Sequence, residues 1–135
     1  NNDICLCKMI PNTILQEKME NVDVLLSVGN KSSEFLPSKI FTYMSLGRPI
    51  VHILGDINDS VIPYLEKYPL ALLLDPNVTV EKNSKLFFEF IDKIDNVMIS
   101  REELIQTFYE NTPLYTAQQI KKILDSYEGT YGENG

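Results

Sequence analysis

The sequence contains no apolar run near the roughly 18 residues a membrane-spanning helix needs, and no signal peptide is visible. It lacks an excess of positive charge. With a net charge of −7, the chain repels a phosphate backbone, which excludes broad nucleic-acid binding. A small anion site built from backbone amides stays open, because it depends on local dipoles rather than on total charge. Cysteine is scarce. Cys5 and Cys7 are the only two, and on a strand that spacing puts both on one face. A disulfide there would be strained, and two thiols do not complete a zinc site. Free thiols fit a reducing compartment, so a cytoplasmic location is expected. No metal-ligand cluster, Walker-type loop or Gly-x-Gly-x-x-Gly motif occurs, and no metal or other cofactor is expected. The single histidine, His52, lies in an apolar run and reads as a satisfied core or strand-end residue.

What is present suffices for one globular domain: 135 residues, 44% of them hydrophobic and 23% charged. The tail Glu128–Gly135 is polar and rich in Gly, so the expected limits are a domain over 1–127 and a frayed segment over 128–135. Four apolar runs predict strands: Ile4–Cys7, Val22–Val28, Pro49–Leu54 and Leu70–Leu74. The second and third lack polar alternation, which predicts strands covered on both faces of a parallel sheet. Helical patterns separate and follow them. Thr13-x-x-Gln16 reads as a capping box opening a helix to about Glu20. Further helices are predicted over Ser38–Leu46, Asn58–Lys67 and Lys85–Ile94. Ser100-x-x-Glu103 reads as another capping box, and Thr112 with Pro113 as the start of a last helix. The order predicts an α/β class: three layers, a Rossmann-like parallel sheet flanked by helices.

In an open parallel sheet, ligands bind beyond the carboxyl ends of the strands. The loop after the second run lies at such an end and leads into a helix start at Pro37, Ser38 and Lys39. Gly29 and Asn30 begin it. Gly29 lets the backbone turn or approach a ligand closely. Amides near Ser38, Lys39 and Ile40 would carry partial positive charge, and Lys39 adds a full one, an assembly suited to a diphosphate. Plainer roles stand beside these: Ser38 as an N-cap, Lys39 as a solvated lysine, Glu34 as an ordinary loop acid.

Val22–Ser27 followed by Leu36-Pro37-Ser38-Lys39-Ile40-Phe41-Thr42-Tyr43-Met44-Ser45-Leu46-Gly47-Arg48-Pro49-Ile50-Val51 resembles the donor-domain signature of GT-B glycosyltransferases. The nearest likeness is to retaining enzymes of bacterial capsule, exopolysaccharide and glycolipid synthesis. The family pattern is a strand ending in "aDvll", a loop, then "PsKifEYma-GkPiv". The resemblance implies that this chain is the nucleotide-sugar half of a longer enzyme, inactive alone. Its acceptor domain and the first strands of the donor sheet would be missing. It implies transfer of a sugar from a nucleoside diphosphate sugar to an acceptor hydroxyl, in a parent that is cytoplasmic or peripheral to the inner membrane face. In that family two glutamates grip the donor: one contacts the sugar, the other the nucleotide ribose. Glu34 stands at the first position. After seven intervening residues, the second glutamate is replaced by Thr42, one neutral hydroxyl where the family has a carboxylate. Two further expectations follow. The chain is either a weakened donor site or a non-catalytic interaction module derived from one. A sheet cut short leaves an unpaired edge, to be covered by Ile4–Cys7 or by a second copy in a homodimer.

Overall fold

The computed structural model describes residues 6, 8–31, 34–94 and 97–131, the last four by backbone alone. The chain is α/β. Residues up to Ile99 make one compact unit, and residues from Ser100 a second.

The first unit is built on three parallel strands in the order of the sequence: β1 (Leu25–Val28), β2 (Ile50–Ile53) and β3 (Ala71–Leu74). Leu25, Ile50 and Ala71 stand in register, as do Ser27, His52 and Leu73. Each ladder runs past these limits by one bond at each end: the Leu25 amide to the Pro49 carbonyl and the Gly29 amide to the Ile53 carbonyl, the Ile50 amide to the Leu70 carbonyl and the Leu54 amide to the Leu74 carbonyl. The run predicted over Ile4–Cys7 lies outside the described residues except for Leu6, which is exposed and in no strand. The expected edge coverage by that segment likewise lies outside the described residues.

Alternation along a strand divides the side chains between two faces. Leu25, Ser27, Ile50 and His52 share one; Leu26, Val28, Val51 and Ile53 share the other. Helices α2 (Lys39–Ser45) and α3 (Ile62–Leu65) form the crossovers between these parallel strands, and crossovers of the usual right hand place both on one face. Core residues include Leu25, Ile40, Met44, Ile50, Val61, Leu65 and Tyr68. Each such aliphatic side chain contributes roughly 1.5–3 kcal/mol by leaving water. Phe41 of α2 meets Tyr64 of α3 edge to face, ring centres 5.0 Å apart. Helix α4 (Val80–Ile91) lies over the other face, where Leu26, Val51, Ile53, Leu74, Phe87 and Phe88 line a groove of about 390 Å³. Strand β2 is buried on both faces, as its unbroken apolar run predicts. β1 is not: Leu26 is 60% and Val28 66% exposed. The expectation of double coverage fails there because only the Leu25 and Ser27 face of β1 is covered, and the face of Leu26 and Val28 stays open.

Helix α1 (Asn12–Glu20) begins at Pro11, whose carbonyl accepts the Leu15 amide at 3.0 Å. Thr13 therefore lies inside the first turn, and the capping box read at Thr13 and Gln16 is not formed. Its last carbonyls are served by Arg48, whose Nε donates to Glu20 O at 3.1 Å, a cation at the negative end of the helix. Helix α2 stops at Gly47, which has φ of +68° and no room for a side chain: an added Cβ would lie 2.3 Å from the Ile99 carbonyl oxygen. Tyr68 donates its hydroxyl to Arg48 O at 2.8 Å, and burial pushes that hydroxyl's pKa up.

Two helices differ from their predicted spans. The stretch Asn58–Lys67 is helical only over Ile62–Leu65. Turn bonds take its start: Asp56 Oδ1 accepts the Asn58 amide and Asp59 Oδ1 the Val61 amide. Short acidic side chains compete with the helix for those donors. Helix α4 begins before the predicted Lys85 because Thr79 Oγ1 caps it through the Lys82 amide, and it ends at Ile91 rather than Ile94.

The second unit holds α5 (Arg101–Thr107), a 3-10 turn (Tyr109–Asn111) and α6 (Pro113–Tyr131). Ser100 caps α5 through the Glu103 amide at 3.1 Å, and Thr112 accepts the Tyr115 amide at 3.2 Å, as the sequence predicts. Tyr109 and Tyr115 pack edge to face. The α6 backbone continues to Tyr131, into the predicted tail; 132–135 lie outside the described residues. None of the described helices is long and apolar enough to cross a membrane.

Candidate functional site

Two loops meet at the carboxyl ends of β1 and β2. The first leaves β1 at Gly29 and Asn30 and reaches α2 at Lys39. The second leaves β2 at Leu54 and reaches α3 through Gly55, Asp56 and Asp59. They touch back to back. A Cβ on Gly29 would come within 1.9 Å of Asp59 Oδ2 and 2.4 Å of the Gly55 nitrogen, and one on Gly55 within 2.3 Å of the Asn30 carbonyl oxygen. Both glycines are thus required by contact between the loops. The Gly29 amide is also engaged, donating to Ile53 O at 2.8 Å. Gly29 accordingly shapes the loop and has no amide to offer a ligand. Further along, Ser60 Oγ donates to Phe35 O at 2.8 Å and ties the loops a second time.

Beneath this junction lies a buried polar pair that sequence reasoning missed. His52 is fully buried, and its Nε2 stands 3.1 Å from Asp59 Oδ2. The same oxygen accepts the Gly55 amide at 3.1 Å, and Oδ1 accepts the Val61 amide at 3.3 Å. Burial raises the Asp59 pKa, but the Gly55 amide, the His52 ring and the Val61 amide together outweigh it, and the carboxyl sits below its ordinary 3.8. The sequence signal was weak: one histidine in an apolar run, and an acid seven residues later inside what reads as a helix.

The residues predicted to meet a donor lie mostly in solvent. Asn30, Glu34, Ser38, Lys39 and Thr42 are exposed, and Pro37 is half-buried. Neither Lys39 nor Glu34 forms an ion pair with a described residue. The start of α2 differs from expectation in two respects. Ser38 has helical φ and ψ and makes no side-chain cap, so its expected N-cap role is not realised. The Ile40 amide donates to Pro37 O at 3.1 Å and the Phe41 amide to Ser38 O at 3.2 Å. This tight opening turn uses the Ile40 donor, and any anion there has the Ser38 and Lys39 amides and the Lys39 ammonium to meet instead. Thr42 follows one turn later on α2, its carbonyl accepting from Ser45 Oγ at 2.7 Å. Among the described residues no three His, Cys, Asp or Glu side chains gather as metal ligands.

No family model, curated protein or solved structure matches the chain significantly.

Proposed function

We propose that this chain is the donor-binding part of a GT-B-like glycosyltransferase, holding a nucleoside diphosphate sugar at the carboxyl end of β1. The observation that carries the reading is the passage from a parallel strand, through a loop with Asn30, Lys31 and Glu34 exposed, to a helix whose first residue is an exposed lysine without an ion-pair partner among the described residues. The likeness of Val22–Val51 to the family pattern lends it support. In this reading Lys39 and the Ser38 and Lys39 amides face the diphosphate. Their charge acts as the leaving group gathers its own during transfer, when electrostatic stabilisation is worth most. Glu34 meets the sugar hydroxyls and Thr42 the ribose. Asn30 and Pro37 border the pocket. The acceptor and its hydroxyl approach from an upstream domain, and the transfer needs both parts.

Thr42 favours a second reading. A hydroxyl offers one neutral acceptor where a carboxylate offers charge-assisted bonds about twice as strong, so the chain is alternatively an interaction module that has lost its donor. Calorimetric titration with uridine, guanosine, adenosine and thymidine diphosphates separates the two. Donor binding predicts that one nucleotide binds and that Thr42→Glu tightens it about tenfold. No heat from any nucleotide, before or after the substitution, favours the interaction module.

A further inference from the structure

We infer that Asp59 and His52 form a positioning unit for the Gly29–Asn30 turn, pinning it against Gly55 so that the chain leaves β1 toward Lys39 in one direction. The Asp59 carboxylate is 95% buried and meets three donors: the Gly55 amide and His52 Nε2 on one oxygen, the Val61 amide on the other. Gly29 packs so close to it that no side chain fits between. The acid is therefore bonded to both the strand and the loop of β2 while in contact with the loop of β1. Because a carboxylate only accepts, the His52 ring presents its proton at Nε2. Its Nδ1 is buried with no partner among the described residues, so the Asp59 bond is the one hydrogen bond seen to orient the ring. Charge-assisted bonds of this kind set geometry tightly. The pair holds the backbone from which the proposed donor loop departs without touching a donor itself. What the turn is positioned for rests on the donor-binding reading; that it is held does not.

Substitution of Asp59 and His52 in the ¹⁵N-labelled chain tests this. Asp59→Asn keeps the shape but turns an NH₂ toward one of three donors. The expected result is a displacement of the Gly29, Asn30 and Gly55 amide signals and a changed His52 ring spectrum, with β3 and α6 signals unmoved. Pyrophosphate and the four nucleoside diphosphates are then titrated, and affinity is expected to fall about tenfold. His52→Gln supplies a donor near the Nε2 position and is expected to restore the amide positions; His52→Leu, with none, is not. Should Asp59→Asn fail to fold, the two His52 variants decide alone. Unmoved Gly29 and Asn30 signals in folded Asp59→Asn, or identical spectra for His52→Gln and His52→Leu, overturn the inference. If the turn moves as expected while the unsubstituted chain binds no anion, positioning stands and the donor reading falls.

Discussion

At the scale of single residues, charge and space act through a few contacts with definite sign. Asp59 has a folded-state pKa below its ordinary 3.8. The folded chain therefore releases that proton more readily than the unfolded one. Asp59 contributes stability in full above the ordinary value, and the contribution fades as the pH falls through the lowered folded-state value. Urea unfolding followed from neutral pH into acid is expected to show this loss, and Asp59→Asn to flatten the curve there. An unchanged curve would remove the stabilising role. Gly47 is expected to resist substitution. Its φ of +68° and the nearby Ile99 carbonyl make Gly47→Ala cost the roughly 1–2 kcal/mol of a left-handed residue and a steric term besides, measurable as a lowered melting temperature. The sequence reveals Gly47 well, since a glycine after an apolar helix is a stop signal. It conceals Asp59. A carboxylate seven residues after a histidine carries no local pattern, and only folding of the second loop beneath the first brings the two together.

At the scale of elements, local chemistry was legible where one side chain decides and illegible where two compete. Ser100 and Thr112 cap as read because nothing else contends for the Glu103 and Tyr115 amides. Ser100→Ala is expected to cost about 1 kcal/mol, visible in thermal unfolding. Around Asn58 the same reasoning misleads, since Asp56 and Asp59 divert the first donors into turns. The strands show the limit of pattern differently. Val22–Val28 and Pro49–Leu54 read alike in sequence, yet among the described strands only β2 has neighbours on both sides. Paired substitutions expose the difference. Ile50→Ala in β2 is expected to cost about 2–5 kcal/mol as a core truncation, and Leu26→Ala in β1 less than about 1 kcal/mol given its exposure. Equal losses in denaturant unfolding would contradict the burial described for β1.

At the scale of the whole molecule, alternation of strand and helix was enough to read an α/β class and a parallel sheet, because each element announces its own period. The pairing of loops at the sheet's carboxyl end was not readable, since it depends on glycines whose need for space arises only from the other loop. That junction decides what the proposed donor loop can do. Gly29 is engaged, Ile40 is engaged, and at the start of α2 the positive elements left are Lys39 and the Ser38 and Lys39 amides. The most direct test is an amide-shift titration of the ¹⁵N-labelled chain with uridine, guanosine, adenosine and thymidine diphosphates, repeated on Lys39→Ala. Saturable shifts at Asn30, Ser38 and Lys39 for at least one nucleotide, weakened about tenfold in Lys39→Ala, are the expected result. Spectra unmoved by all four, or shifts indifferent to the loss of Lys39, would contradict a diphosphate site at the start of α2.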